Sequence, residues 1–238
     1  MFTVAIIGPD GVGKTTVSRR LETALPFCAK YVYMGVNLEA SNLLLPTTRL
    51  ILEIKRRLGR RPDMAGPPDP ARLHPRPRGP VRRVLAAVKS AARMTNHLME
   101  ETFRQGVIRW HLIRGRVVLL DRDFFADYYA HDVVSGKGRP LARRIHGFVL
   151  RRFYRRPDVV ICLDADAETM FARKCEGTVE LLQRRRGEYH GLRECVKRFE
   201  LVDATRPIEA VLHDVHRRIC RYYDEQIAGK ALGGARVS

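Results

Sequence analysis

Five short apolar runs are spaced along the chain and predict buried β-strands: Phe2–Ile7, Lys30–Met34, Val117–Leu120, Val159–Leu163 and Phe199–Val202. Three of them are continuous rather than alternating runs of Val, Ile and Leu, which is typical of parallel strands that are covered on both faces. Parallel strands need crossover connections, which are usually helices. The pattern therefore predicts an α/β fold with a doubly wound, five-stranded parallel sheet flanked by helices.

Amphipathic stretches between these runs predict the helices. Val17, Leu21 and Leu25 repeat at the helical spacing after the first strand, and a longer pattern from Ile208 to Ile219 follows the last strand. Pro207 suits the first position of that last helix, where its missing N–H has no helical partner to lose. A long helix is predicted at roughly residues 81–105.

One segment and the tail differ in composition from the rest. Residues 56–80 contain seven of the thirteen prolines and almost no large apolar residues after Leu58, so they predict an extended or mobile insertion between the second strand and the long helix. Residues 229–238 contain Gly229, Gly233 and Gly234 and predict a flexible tail. The remainder, residues 1–228, is predicted to form a single domain.

The chain of 238 residues has 44 Lys plus Arg and 26 Asp plus Glu, a formal net charge of +18. Ten basic and two acidic residues lie between Lys55 and Arg83, so +8 of this charge falls in one stretch. Such an excess indicates anionic partners: nucleotide phosphates, nucleic acid or an anionic membrane surface. For the basic segment 56–83, two interpretations stay open, a solvated linker and an arm that binds nucleic acid or membrane.

Composition also limits the class of protein. Apolar residues make up 45% and charged residues 29%, which excludes global disorder, and no run approaches the ~18–20 apolar residues of a membrane-spanning helix. Five cysteines form no C-x-x-C pair, and no basic residue precedes the apolar run Met1–Ile7. These features predict a cytoplasmic protein with reduced thiols.

The segment Gly8-Pro9-Asp10-Gly11-Val12-Gly13-Lys14-Thr15 matches the phosphate-loop pattern G-x-x-x-x-G-K-[ST], between an apolar strand and an amphipathic helix. Its glycines would let successive N–H groups point at phosphate oxygens, and the helix would add its N-terminal dipole. Lys14 would pair with the β- and γ-phosphates. The sequence therefore predicts a nucleotide-binding loop formed by Gly8, Asp10, Gly11, Val12, Gly13, Lys14, Thr15 and Thr16, which by itself leaves several classes of nucleotide-binding protein open.

The run Val117–Leu120 ends in Asp121, as in the Walker B strand that accompanies a phosphate loop. Thr15 and Asp121 are the candidate ligands of Mg²⁺. Hydrolytic ATPases of the motor type usually have Glu after this Asp, to activate water, whereas Arg122 stands here. The chain also lacks the N-K-x-D sequence of GTPases. A kinase needs positioning and charge neutralisation rather than an activated water, so a kinase is favoured.

Several segments together resemble the thymidylate kinase family of P-loop nucleoside monophosphate kinases. Besides the phosphate loop, they are Arg114–Arg122 (RGRVVLLDR), Pro157–Asp164 (PDVVICLD), the arginines at 173 and 184–186, and Val202–Ala204 followed by Pro207–Val211. The resemblance implies the P-loop fold with a mobile, Arg-rich lid at residues 168–190. It also implies ATP-dependent phosphoryl transfer to a nucleoside monophosphate, with dTMP favoured. A homodimer is a further expectation.

The resemblance also implies roles for individual residues. Asp10 would accept a hydrogen bond from an acceptor sugar hydroxyl, and Arg122 would clamp the acceptor phosphate with its guanidinium fork. The phosphate loop carries no arginine of its own, so the cation that stabilises the transition state would come from the lid, with Arg184 and Arg185 as the main candidates.

The chain departs from the family on the acceptor side. Tyr33–Asn37 replaces the family's Arg-Glu-Pro segment, and Asp123–Tyr129 replaces the motif that shapes the thymine pocket. Arg93 is the candidate for contacting the acceptor base, and the Pro/Arg-rich insertion has no counterpart. Two alternatives therefore stay open: a kinase for a sugar or glycan-derived acceptor in surface-polysaccharide metabolism, and a nucleotide-dependent protein that binds nucleic acid or membrane.

Overall fold

The structure is a computed structural model, and it describes residues 1–35, 43–57, 79–123, 144, 147–149, 152–175 and 177–234. Within these ranges the chain alternates strands and helices. In chain order the elements are β1 (Thr3–Ile7), α1 (Lys14–Ala24), β2 (Ala29–Tyr33), α2 (Pro46–Arg57), α3 (Pro80–Ile113), β3 (Val117–Asp121), β4 (Val159–Asp164), α4 (Ala167–Lys174), α5 (Val179–His190), a 3₁₀ turn (Gly191–Glu194), β5 (Phe199–Asp203) and α6 (Ile208–Gly234).

The five strands form one sheet in the order β2-β3-β1-β4-β5, and all four pairings are parallel. This confirms the predicted five-stranded parallel sheet flanked by helices. β1 is central, and the chain leaves it first toward β2 and returns later to β4 on its other side. The loop after β1 therefore lies at the point where the winding direction reverses, the usual ligand crevice of such sheets.

Both faces of the sheet are covered, which explains why its inner strands are continuous apolar runs. Val4 and Ile6 of β1 pack on one face, with residues of α1 and α6, while Ala5 and Ile7 pack on the other, with Ile108 of α3. Every residue of β1 and β3 is buried. A strand that alternates between two apolar layers cannot show polar alternation.

The helical elements differ from the sequence prediction at several ends. α3 runs from Pro80 to Ile113 rather than over 81–105, because apolar contacts continue past Gly106 to the buried Ile108. The helix ends before Gly115, whose φ of 77° breaks helical geometry. α6 extends to Gly234, although a flexible tail was predicted from residue 229.

The sequence prediction missed α2, and its bounds for the insertion need correction. Arg56 and Arg57 are the last residues of α2, and Pro80 is the first residue of α3, so these residues belong to helices. The core of the predicted insertion, residues 58–78, lies outside the described residues. Among the helices in the described ranges, none is long and apolar enough to cross a bilayer.

Candidate active site

The loop between β1 and α1, Gly8–Gly13, is called the glycine loop below. Gly8, Gly11 and Gly13 have φ values of 139°, 93° and 89°, a region that side chains with a Cβ rarely adopt. A Cβ on Gly8 would lie 2.4 Å from the carbonyl oxygen of Leu163, and one on Gly11 would lie 2.6 Å from that of Met170. The glycines therefore let the loop curl against β4 and α4.

Two substitutions in this loop separate backbone strain from steric contact. Gly13→Ala should lower the free energy of unfolding by about 1–2 kcal/mol, because its φ is positive but no atom lies within 4 Å of the added Cβ. Gly11→Ala should lower it by at least ~1 kcal/mol more, because the backbone of α4 must also move. Urea unfolding of both variants measures this. Equal losses would show that the approach to Met170 is not a close contact.

The helix that follows the loop begins without a side-chain cap. Gly13 is the N-cap residue of α1 and has no side chain that could accept from the first N–H groups, and the first turn of α1 contains no acidic residue. Lys14 is 6% exposed, and its Nζ donates to the carbonyl oxygens of Gly8 at 2.8 Å and Pro9 at 2.6 Å. The helix dipole and the buried lysine give this end of α1 the character of an anion site.

Asp121 lies at the end of β3, beside the first turn of α1. Its Oδ2 accepts hydrogen bonds from Thr15 Oγ1 at 2.7 Å and from the hydroxyl of Tyr31 at 3.0 Å. Its other carboxylate oxygen, Oδ1, is buried and has no hydrogen-bond partner among the described residues. Burial and the neighbouring Asp121 carboxylate raise the pKa of Tyr31, so this hydroxyl stays a donor.

These oxygens suit a magnesium ion. Mg²⁺ is usually held by one or two carboxylates, together with waters and phosphate oxygens, rather than by an all-protein cage. In the described part of the chain, no group of three or more His, Cys, Asp or Glu residues has the arrangement of a metal site. Two atoms fit the ion: the Thr15 hydroxyl oxygen and Asp121 Oδ1. Oδ1 is buried without a hydrogen-bond partner among the described residues, and an ion would satisfy it.

Asp10, in the middle of the glycine loop, forms ion pairs with three cationic side chains. Its Oδ1 accepts from Arg122 at 2.6 Å and lies 3.7 Å from the Lys14 ammonium, while its Oδ2 accepts from Arg185 at 3.1 Å. Burial alone would raise the pKa of Asp10, but Lys14, Arg122, Lys174 and Arg185 together hold it well below its usual range. We call Asp10, Lys14, Arg122 and Arg185 the cation cluster.

Arg122 has an unusual backbone conformation. Its φ is 71°, in the left-handed region, and its N–H donates to the carbonyl oxygen of Ile6 at 3.1 Å. For a residue with a Cβ, this conformation costs on the order of 1–3 kcal/mol and is concentrated at functional sites. Here it accompanies the turn away from β3 that places the guanidinium on Asp10. This link between strain and side-chain position could not be seen in the sequence.

The three adjacent arginines of α5 separate into different environments. Arg185 contacts Asp10, whereas Arg186 donates through Nε and Nη2 to the two oxygens of Asp164, both at 2.6 Å. Arg184 is half exposed and lies 3.7 Å from Glu188, one turn along its own helix. The structure thus brings Arg185 to the glycine loop, but it does not join Arg184 to the cation cluster. The two candidates differ because successive helical residues point about 100° apart.

A cavity of about 430 Å³ lies beyond the carboxyl ends of β4 and β5. It is lined by Asp164, Ala165, Asp166, Arg186, Leu201, Asp203 and Thr205. His190 Nε2 lies 3.1 Å from Asp164, and the Arg186 and His190 contacts hold the pKa of Asp164 below its ordinary value although burial opposes this. Arg173 of α4 donates to the carbonyl oxygens of Ala204 and Thr205 nearby. Arg186 thus lines this cavity, whereas its chain neighbour Arg185 belongs to the cation cluster.

A buried ion pair between Arg104 and Glu100 contacts the chain that follows β2, and the sequence analysis missed it. Arg104 of α3 is fully buried and donates to Glu100 Oε1 from Nε at 3.1 Å and from Nη2 at 3.0 Å. Its Nη1 donates to the carbonyl oxygen of Gly35 at 2.8 Å, and Glu100 Oε2 accepts from the N–H of Leu45. The pair therefore fixes the chain just after β2. The i, i+4 spacing was visible, but its burial was not.

Breaking this pair should be strongly destabilising. Arg104→Met should lower the free energy of unfolding by about 3–5 kcal/mol, because Glu100 would be left buried without its partner. Arg49→Met on α2 is the matched control, since Arg49 forms an exposed pair with Glu53 at 3.7 Å. The control should lose less than ~1 kcal/mol. Chemical denaturation measures both, and equal losses would contradict a stabilising role of the buried pair.

Other predicted residues fall in different places. The Val12 side chain packs in the core, so its backbone alone faces the loop interior, and Thr16 is exposed on the first turn of α1. Tyr189, near the end of α5, is 4% exposed and belongs to the core. The Arg93 side chain, residues 36 and 37 and residues 124–129 lie outside the described part of the chain, so of the three candidate acceptor-binding residues only Asp10 and Arg122 are described.

The comparison with known proteins adds no family assignment. Searches against protein-family models and against curated proteins found no match to this chain. The interpretation of the site therefore depends on its residues and their geometry.

Proposed function

We propose that the protein is a Mg²⁺-dependent P-loop kinase that transfers the γ-phosphoryl group of ATP to a phosphorylated small molecule. The observation that carries the proposal is the cation cluster. Lys14, Arg122 and Arg185 come from three separate parts of the chain and meet within 4 Å of Asp10 beside the glycine loop. ATP and a phosphorylated acceptor are both negatively charged, so an enzyme that binds them side by side needs several cationic groups at the same place.

The geometry supports a role for each of these side chains. Lys14, at the open N-terminus of α1, would face the β- and γ-phosphates of ATP. Arg122 follows β3 and would hold the acceptor phosphate with its guanidinium fork. Arg185 comes from α5, on the other side of Asp10, and would stabilise the charge on the group in transfer. Thr15 and Asp121 would hold Mg²⁺, which neutralises phosphate charge when bound.

In the proposed reaction, an oxygen of the acceptor phosphate forms a bond to the γ-phosphorus. The bond between that phosphorus and the bridging oxygen breaks, and ADP leaves with the electron pair. The chain supplies positioning and electrostatic stabilisation rather than a covalent group. Asp10 keeps Arg122 and Arg185 in place, and its remaining lone pairs would accept from an acceptor hydroxyl.

A nucleoside monophosphate, with dTMP first, is the favoured acceptor because the donor-side motifs resemble those of thymidylate kinases. A sugar or glycan-derived acceptor is the second candidate, and the chain after β2 favours it. Met34 is buried in the core, and Gly35 is held through its carbonyl by Arg104. Residues Tyr33–Asn37 contain neither the arginine nor the glutamate of the segment that helps to hold the acceptor nucleotide in the thymidylate kinases that the chain resembles.

A panel of acceptors decides between these candidates. ADP formation from ATP and Mg²⁺ would be measured with dTMP, other nucleoside monophosphates, sugar phosphates and no acceptor. We expect one acceptor class to accelerate ADP formation at least ~100-fold, since kinases turn over at about 1–100 s⁻¹. A sugar phosphate as the best acceptor would replace the nucleotide assignment. Identical rates with and without every acceptor would contradict the kinase proposal.

A further inference from the structure

Tyr31 of β2 contacts a candidate magnesium ligand, although it belongs neither to the glycine loop nor to the cation cluster. Its hydroxyl donates to Asp121 Oδ2 at 3.0 Å, and the Thr15 hydroxyl donates to the same oxygen at 2.7 Å. The tyrosine hydroxyl is the donor in this contact, since an ionised carboxylate can only accept. No motif in the sequence distinguishes Tyr31 from the other residues of its strand.

The two oxygens of the Asp121 carboxylate are bonded unequally. Asp121 is fully buried, and its Oδ1 has no hydrogen-bond partner in the described part of the chain. A buried polar atom without a partner costs free energy, so buried carboxylates usually have both oxygens satisfied. If the Tyr31 hydroxyl served only to satisfy this carboxylate, a contact with Oδ1 would do so better than a second contact with Oδ2. The arrangement instead holds one oxygen and leaves the other available as a ligand.

Two donors on the same oxygen fix the orientation of the carboxylate. The last torsion of an aspartate side chain has a broad distribution of angles, so a single hydrogen bond would let the carboxylate turn. Thr15 belongs to α1 and Tyr31 to β2, so the two hydroxyls reach Oδ2 from separate elements. Mg²⁺ requires near-ideal octahedral geometry, and its binding is therefore sensitive to the direction of each ligand atom.

The position of Tyr31 is determined by the sheet and by α1. β2 pairs with β3 along its whole length, and Tyr31 lies in register with Leu119, two residues before Asp121. The side chains of Tyr31 and Asp121 therefore stand on the same face of the sheet. The guanidinium of Arg19, on α1, lies 5.7 Å from the centre of the Tyr31 ring, within the range of a cation–π contact. These contacts direct the hydroxyl toward Asp121.

We propose that Tyr31 is a positioning residue for the magnesium site, and that its hydroxyl fixes Oδ2 of Asp121 so that Oδ1 stays available to the cation. This inference rests on the proposed function, since it requires that Thr15 and Asp121 hold Mg²⁺ beside bound ATP. Tyr31 acts through Asp121 and contacts neither substrate nor metal itself. Hydrogen-bond partners of metal ligands typically contribute about 10- to 100-fold to metal affinity, which sets the size of the expected effect.

Calorimetric titration of the full chain with ATP, in the absence of acceptor, tests this role without measuring catalysis. Each protein would be titrated in EDTA, in excess Mg²⁺ and in excess Ca²⁺. The ratio of ATP affinity with and without the cation is the metal-dependent enhancement. The test variant is Tyr31→Phe, which removes only the hydroxyl. The matched control is Tyr154→Phe, because Tyr154 is also half-buried and its hydroxyl forms hydrogen bonds with Thr102 at 3.0 Å and with the carbonyl oxygen of Leu98 at 3.3 Å.

We expect Mg²⁺ to strengthen ATP binding by the wild-type protein, and Tyr31→Phe to reduce this enhancement by at least ~10-fold. The enhancement by Ca²⁺ should fall less than ~3-fold, because Ca²⁺ accepts flexible coordination geometry and tolerates a turned carboxylate. Affinity for ATP in EDTA should stay within ~2-fold of wild type, and Tyr154→Phe should change none of the three affinities by more than ~2-fold. Thermal unfolding would confirm that both variants are folded.

Equal weakening of ATP binding by Tyr31→Phe in all three conditions would overturn the proposal, because the hydroxyl would then only support the structure around Asp121. Unchanged affinities would also overturn it, because Thr15 alone would then orient the carboxylate. Both results leave the proposed kinase function in place. Wild-type ATP binding that does not respond to Mg²⁺ would contradict the magnesium site itself, and with it both the role of Tyr31 and the metal dependence of the proposed function.

Discussion

Lys14→Ala should lower kcat/KM for ATP by about 10²–10³-fold with the best acceptor, while the fold stays intact. Lys14 is the buried first residue of α1, and its ammonium donates to the carbonyl oxygens of Gly8 and Pro9 in the glycine loop. Removing it would leave the phosphates of ATP without the charge that is positioned nearest to the N-terminus of α1. Steady-state kinetics with varied ATP measures the effect.

Lys30→Ala is the control for Lys14→Ala, because Lys30 pairs at 2.7 Å with Glu22, which lies more than two helical turns beyond Lys14 on α1, and is not part of the site. Its kcat/KM should stay within about 2-fold of wild type. Thermal unfolding of both variants separates loss of activity from loss of folded protein. A wild-type rate for Lys14→Ala would show that the glycine loop does not bind the donor phosphates.

Arg122→Ala should weaken use of the acceptor while leaving ATP affinity about the same. Loss of one charge-assisted contact to phosphate costs on the order of 1.5–3 kcal/mol, which is roughly 10- to 150-fold in kcat/KM for the acceptor. Arg122→Lys should recover only part of this, because an ammonium lacks the planar fork. Steady-state kinetics with varied acceptor measures the effect on the acceptor, and calorimetric titration with ATP measures the effect on ATP affinity.

Arg20→Ala is the matched control for Arg122→Ala, since Arg20 is an exposed arginine of α1 that pairs with Glu209. It should change neither ATP binding nor acceptor kinetics. If Arg122→Ala abolishes ATP binding, Arg122 belongs to the donor side and not to the acceptor side. If it changes neither substrate, its contact with Asp10 is structural, and the acceptor phosphate is held by other residues.

The sheet could be predicted from the sequence because strands that are buried on both faces consist almost entirely of apolar residues such as Val, Ile and Leu. All five predicted strands are present, with ends that differ by about one residue, as with Ala29–Tyr33 in place of 30–34. The helix α2 was missed although its sequence contains a helical pattern, since Leu50, Ile51 and Ile54 repeat at i, i+1 and i+4. Leu50 and Ile54 are exposed in the fold, so this periodicity does not mark a face buried in the core.

Local features of the site could be predicted from the sequence, whereas contacts between distant parts of the chain could not. The glycine loop and Asp121 were predictable, since each is a short segment beside a buried strand. The contact between Arg185 and Asp10 joins residues 175 positions apart, and no spacing rule distinguishes Arg185 from Arg184 or Arg186. The Tyr31–Asp121 hydrogen bond and the burial of Arg104 also depend on how β2, β3 and α3 pack. Tertiary packing, rather than local pattern, selects these residues.

Transfer of labelled phosphate tests the central claim most directly. The protein would be incubated with Mg²⁺ and ATP labelled with ³²P at the γ-position, together with the best acceptor from the panel, and the products would be separated. The cation cluster predicts that the label appears on the acceptor in wild type and falls by at least ~100-fold in Lys14→Ala. Label that appears only as inorganic phosphate, at a rate independent of the acceptor, would contradict the account.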